Sequence, residues 1–210
     1  MLLAGAGNSF AQSKTFVFQV GDLLFQQSDC GSFCEAINKV TDGINGLDFS
    51  HVGIVQMKDD KIVVLEAIRT GVTETPIDEF LDRNKDRFGN PLVVVGRLKP
   101  EFQHSVLTIE EESNNYLGKK YDRVFDINSD TYYCSELVYL LYHDANGQSL
   151  FELAPMTFKD PETKKTFEIW VDYYNELNEE IPEGKPGLNP GSISRSDKLE
   201  IYFPFSSFKE

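Results

Sequence analysis

Three observations predict an α+β fold. Strand-like and helix-like segments are mixed along the chain. Two β-rich runs, "FSHVGIVQM" (49–57) and "IVVLEAI" (62–68), flank the turn Lys58-Asp59-Asp60-Lys61 and read as a sequential antiparallel hairpin. The most apolar helical stretch, "TYYCSELVYLLY" (131–142), stands far from that hairpin in sequence, so sheet and helix meet only through tertiary packing. The expected architecture is an antiparallel sheet or partial barrel carrying one prominent helix.

In chain order, "FVFQVGDLLFQ" (16–26) is extended, with Gly21-Asp22 as a turn before an apolar run. "CEAINKVTDG" (34–43) has helical spacing, with Ala36, Ile37 and Val40 on one side and Gly43 as stop. The hairpin follows. "TPIDEFLDR" (75–83) reads as a short helix with Thr75 as cap and Pro76 in its first turn. "LVVVGRL" (92–98) is a strand, and "SVLTIEEESNNYLGK" (105–119) a helix stopped by Gly118. The stretch from Thr131 is expected to stay helical to about Asn146-Gly147, and a further helix covers about Phe167 to Leu177. In that helix the spacing of Trp170, Tyr173 and Leu177 presents one face to a core. The remaining tail is loop-rich with a late strand, and no internal repeat interrupts the chain.

The 210 residues suffice for one domain, expected over 16–210 after a tail or signal-peptide remnant at 1–15. A formal net charge of -14 argues against nucleic acid as a partner and against a polybasic membrane patch. No apolar run is long enough for a transmembrane helix. The pattern Ser9-Phe10-Ala11 before Gln12 resembles the end of a secretory signal, although the basic start is missing, so export to a periplasm or the outside is one expectation and a cytoplasmic protein the other. Of the three cysteines, Cys30 and Cys34 leave two readings open, a local disulfide in an exported protein or two small residues near a loop–helix junction. A zinc site there lacks a second pair of ligands.

Chemistry concentrates at three residues. Cys134 stands at a helix start, where the unsatisfied amides lower a thiol's pKa and favour the reactive thiolate. His51 opens a strand, a rigid support for a base. Glu66 is a carboxylate inside an otherwise apolar strand, and buried acids need partners. A hairpin centred on Asp59-Asp60 pairs residues whose numbers sum to about 119, which sets Glu66 opposite about residue 53 and makes His51 its diagonal neighbour on the same face. Each residue alone also has a plain structural reading. Together they follow the logic of a nucleophile, a base and an orienting carboxylate, with the helix amides as part of an oxyanion hole.

The segments "VGDLLFQ", "FSHVGIV", "VLEAI", "TPIDEFLDR", "LGKKYD" and "YYCSELVY" occur in an order that resembles the NlpC-like cysteine hydrolases with a circularly permuted papain-like fold, in the YiiX/YebB-like branch. The likeness continues through "PMTF", Trp170 and "IPEGKPGLNPGSISRS", covering about Val20 to Leu199. In such a fold the histidine precedes the cysteine. The resemblance implies Cys134 as nucleophile, His51 as base and Glu66 as the third residue, with Tyr121 at a cleft-lining position. Ser50, beside His51, and Tyr133, beside Cys134, stand with Tyr121 as candidate substrate-contacting residues. The expected activity is cleavage of an amide through a thioester acyl-enzyme, with no metal or cofactor. A small peptide amide of murein type is the first substrate class and a lipid acyl or N-acyl group the second, as in lecithin–retinol acyltransferase-like enzymes. A non-catalytic binding module on the same fold, or a structural exported protein stapled by Cys30 and Cys34, are the rival readings. The sequence carries no indication of oligomeric state.

Overall fold

The computed structural model describes residues 16–28 and 31–205. Expectations for the tail 1–15 and for Cys30, and with it the pairing of Cys30 with Cys34, lie outside these residues. The described elements, in chain order, are β1 Leu23–Gln26, α1 Ser32–Asn38, β2 His51–Lys58, β3 Lys61–Ile68, β4 Gly71–Pro76, α2 Ile77–Asp82, β5 Val93–Leu98, α3 Ser105–Glu112, α4 Cys134–Leu141, β6 Ala154–Pro155, α5 Glu168–Leu177, β7 Pro186–Gly187, α6 Pro190–Ser194 and β8 Leu199–Tyr202. Six strands make one antiparallel sheet in the order β4-β3-β2-β1-β5-β8, and β6 pairs with β7 in a small ribbon. The α+β class is as the sequence predicts, and of the two expected forms it is the sheet.

The β2–β3 hairpin has the predicted register, with Ile54 opposite Leu65 and Lys58 opposite Lys61. Its turn residues Asp59 and Asp60 both have positive φ, 48° and 59°, as the tight hairpin turn that matches strand twist demands. Strand alternation then sorts side chains between two layers. Phe25, Val52, Ile54, Leu65, Ala67 and Val94 face one way and pack with Leu137, Val138 and Leu141 of α4. Leu24, Val55, Val64, Val93 and Val95 face the other and enclose Phe80 of α2. Gly53 leaves room for the side chains of the layer that holds Phe80, since a Cβ there would overlap Val64 Cγ1. A third cluster joins α1 to α5 through Ala36, Phe158, Trp170 and Tyr174, with Tyr173 and Leu177 partly buried against it.

Several expectations need correction: α1 ends at Asn38, short of Gly43, and α3 ends at Glu112, short of Gly118, with a 3-10 turn at Ser113–Asn115. Helix α4 ends at Leu141 and does not reach Gly147. Tyr142 is extended (φ -103°, ψ 98°), its hydroxyl donates to the Gly21 carbonyl at 2.9 Å, and the Asp144 carboxylate gathers the Asn146 and Gln148 amides into a turn. Thr75 is no helix cap. It belongs to β4, a strand the sequence reading did not foresee, and its hydroxyl turns to Glu66. Pro76 ends that strand and immediately precedes α2.

Candidate active site

Helix α4 starts at Cys134 because Tyr133 before it is extended (φ -101°, ψ 167°) and Glu136 reaches back to accept the Tyr133 amide at 3.2 Å. This satisfies one end-of-helix donor and fixes the first turn. Cys134 is therefore the first helical residue and is only 8% exposed. Contacts between α4 and strands β2 and β3 press this end of the helix against the start of β2. The Val52 amide donates to the Cys134 sulfur, and the thiol lies against the His51 ring, each being the other's hydrogen-bonding and charge partner. The Ser135 hydroxyl is 3.8 Å from the sulfur.

His51 Nε2 meets Glu66 Oε2 at 2.6 Å, the diagonal contact expected from the hairpin register, so Nδ1 is the ring nitrogen left for Cys134. Phe80 flanks the imidazole at 5.9 Å between ring centroids. Glu66 is fully buried and saturated: Thr75 Oγ1 donates to Oε1 at 2.5 Å, and Arg83 donates from Nη2 to Oε1 at 2.7 Å and from Nη1 to Oε2 at 2.8 Å. The hairpin register pairs Glu66 with His51 but gives no sign of Arg83 or Thr75. The available signal was the demand that a buried carboxylate makes for a cation and several donors.

The electrostatics follow from these contacts. Burial by itself would hold the Glu66 carboxyl protonated, but Arg83, then His51 and Thr75, bring it down to about 2. Burial opposes a charged imidazole, yet the Cys134 thiol and Glu66 outweigh it and push His51 up to about 9. Burial likewise opposes a thiolate, and the facing imidazole lowers the Cys134 thiol below its ordinary value. At neutral pH the arrangement favours a thiolate beside an imidazolium.

Ser50, Tyr121 and Tyr133 all line a cavity of about 280 Å³ that opens at Cys134. The Ser50 hydroxyl accepts the Ser28 amide at 3.1 Å, and the Tyr133 hydroxyl accepts the Leu188 amide at 3.3 Å. Burial pushes the phenols of Tyr121 and Tyr133 well up, so both stay neutral. The opposite walls come from α1 and the turn after it, through Ile37 and Val40, and from segments after Leu153, through Met156, Phe158, Trp170 and Leu188. Nothing in the local pattern of the loop-rich tail pointed to this cavity, because its residues are brought there by long-range packing. Among the described residues, no Asp, Glu, Lys, Arg or His lines it.

Glu136 carries a testable consequence of its burial. It is 1% exposed, and burial, opposed by the Tyr133 amide and aided by Asp122 and Asp126, pushes its carboxyl up to about 8. Between about pH 4.5 and 8 the folded chain then holds a proton that the unfolded chain has released, so stability falls as pH rises through that window. Glu136→Gln keeps an acceptor for the Tyr133 amide and has no proton to lose. Thermal unfolding should show a midpoint that declines with pH in the wild type and a flatter profile in the variant. Parallel profiles would mean that Glu136 is ionised in the fold.

A hairpin histidine beside a helix-start cysteine, with the histidine earlier in the chain, defines a permuted papain-like protein. Residues 17–202 match the family model described as "Permuted papain-like amidase enzyme, YaeF/YiiX, C92 family", and the chain belongs to that family. It is 33% identical over 136 residues to the uncharacterized protein YiiX of Escherichia coli K12, an alignment spanning 64% of this chain and 62% of that protein, less than two thirds of the relative's length. It also superposes on the crystal structure described as metalloprotein yiiX from Escherichia coli O157:H7, with a TM-score of 0.70 and 26% identity over 88% of this chain and 96% of that one. That description calls the relative a metalloprotein. Among the described residues of this chain, no three His, Cys, Asp or Glu side chains gather to hold a metal ion, and the oxygens of Glu66 are taken up by Arg83, Thr75 and His51. These residues do not fit a metal centre. Among the described residues, no helix is long and apolar enough to cross a membrane.

Proposed function

We propose that this chain is a thiol amidase of the NlpC-like kind, acting as one catalytic unit over residues 16–210, in which Cys134 is the nucleophile, His51 the base and Glu66 the orienting residue. The observation that carries the reading is the convergence of Cys134 on the His51 ring while Nε2 of that ring is held by Glu66. The Cys134 thiolate adds to the substrate carbonyl, and the Cys134 amide at the helix start is placed to donate to the oxygen that gains charge. His51 gives its proton to the departing amine as the C–N bond breaks, leaving a thioester. A water molecule, losing its proton to His51, then adds to the thioester, and the acid leaves with return of the thiolate. Tyr121, Tyr133 and Ser50 bind the acyl part.

Two substrate classes fit this chemistry. A murein-type peptide carries several carboxylates and amines, which call for charged partners. The cavity beside Cys134 is walled by Ile37, Val40, Phe125, Met156, Phe158 and Trp170, with no charged side chain among the described residues. It therefore favours the second class, an amide with a neutral, apolar acyl group. Export from the cell belongs to this reading on the Ser9-Phe10-Ala11 pattern alone, and sequencing the N-terminus of the native protein checks it.

The decisive experiment is alkylation of Cys134 by iodoacetamide as a function of pH. Reaction should proceed through a thiolate already present below about pH 7, whereas an inert core thiol would show an apparent pKa near about 8.5 or no reaction. Acyl amides of increasing chain length, set against murein peptides, then separate the two substrate classes by kcat/KM.

A further inference from the structure

Arg83 follows α2 and lies outside the cavity lining, so it has no direct access to a substrate bound there. Its guanidinium nevertheless grips both oxygens of Glu66, the carboxylate that holds His51. Four donors thus share one carboxylate: His51 from the start of β2, Thr75 from β4, and the two arms of Arg83. The guanidinium also rests on the Phe80 ring at 5.3 Å, on the same phenylalanine that flanks His51, which fixes it from a second side.

The charges of the buried group are then balanced. Thiolate and carboxylate count two negative charges, imidazolium and guanidinium two positive. Without Arg83 the group would carry a net negative charge in a buried setting, and the whole of the Glu66 charge would fall on His51. An imidazolium held that tightly is a weak acid, poorly suited to release its proton to a leaving amine. Resting on the reading of His51 as base, we propose that Arg83 is a positioning residue that acts through Glu66, fixing the carboxylate in place and drawing off part of its charge, so that His51 is oriented without being locked as the imidazolium.

The charged and titratable groups around this centre are Cys134 of α4 and Tyr121 on the thiol side, Glu66 of β3 facing the ring, Arg83, and Glu79 of α2, which interacts with Arg83. The test isolates the ring from the thiol. In full-length chain carrying Cys134→Ala, the imidazole of His51 is titrated by NMR with labelled histidine, which the presence of only three histidines makes assignable. Adding Arg83→Met should raise the His51 midpoint by about one pH unit, because the undivided carboxylate now holds the imidazolium. Arg83→Lys keeps the charge and should leave the midpoint near its starting value. In a Glu66→Gln background, Arg83→Met should produce no rise, since the route through Glu66 is gone. If Arg83→Met fails to fold, Arg83→Gln carries the same expectation. No rise with either neutral residue, or an equal rise with lysine and the neutral residue, overturns the proposal. These titrations need no substrate. A rise in the His51 midpoint together with an inert Cys134 would leave Arg83 coupled to His51 and defeat the amidase reading by itself.

Discussion

Cys134→Ala should give a folded protein that turns over an acyl amide no faster than background, a loss of up to about a million-fold when the nucleophile of such a group is removed. The fold should survive because the side chain is small and its surroundings belong to a large core. Leu137, Val138 and Leu141 of the same helix still seat α4 on Val52, Ile54 and Leu65 of the sheet. The charge balance changes as well. His51 owes part of its raised midpoint to the thiolate, so the ring should lose its proton at lower pH in the variant while Glu66 still holds it. Turnover of purified wild type and variant, with thermal unfolding as control, checks the first claim, and histidine NMR checks the second. A variant that keeps activity within tenfold of wild type would remove Cys134 from the chemistry altogether.

The hairpin was legible because its signals are local. Alternation in "FSHVGIVQM" and "IVVLEAI" and the Asp59-Asp60 turn set the register, and the register alone put His51 and Glu66 within reach of each other. The start of α4 was legible for a similar reason, as its apolar spacing begins at Cys134. Its end was not. Nothing in "VYLLYHDANG" stops a helix before Gly147, and what stops it is the tertiary bond from Tyr142 to Gly21 together with the Asp144 turn. Thr75 shows the same limit. Thr-Pro before an acidic helical stretch has the form of a cap, but the threonine is drawn into β4 by pairing with Val64 and turned to Glu66 by the need of a buried carboxylate for donors. Arg83, fifty-one residues before Cys134 in a segment read only for its helical spacing, joins the site for that reason too. The cavity walls at Met156, Phe158 and Leu188 depend on α5 docking on α1 and on the β6–β7 ribbon, contacts that no local pattern encodes.

Glu66→Gln should lower turnover by roughly ten- to a thousand-fold, less than loss of the nucleophile, since the third member of such a group costs least. The reason lies in the donor count. Glu66 accepts four hydrogen bonds and donates none. An amide offers one oxygen and one NH2 group, and whichever way it turns, the NH2 faces an Arg83 N–H that must give up its partner. If the NH2 takes the place of Oε2, it meets His51 Nε2 and forces that nitrogen to accept. The ring proton then moves to Nδ1, toward Cys134, which is the wrong tautomer for taking the thiol proton. If the oxygen stays at Oε2, the tautomer is kept but the negative charge that favours the imidazolium is gone. In both cases the pair shifts from thiolate and imidazolium toward neutral thiol and imidazole, because the lost charge lies closer to the ring than to the sulfur. Alkylation of Cys134 should therefore need a higher pH in the variant than in wild type. Acid stability should move as well. With its folded midpoint at about 2 against an ordinary 4.5, Glu66 contributes stability that is present above about pH 4.5 and lost as pH falls toward 2, and the variant should lack this loss. At neutral pH the variant lacks that contribution and should unfold at a lower temperature than wild type, with the difference closing toward pH 2; partly exposed Arg83 can turn its freed arm to solvent, which limits the loss. Identical alkylation profiles for the two proteins, both centred near the free-thiol value of about 8.5, would show that Glu66 and His51 leave Cys134 unactivated.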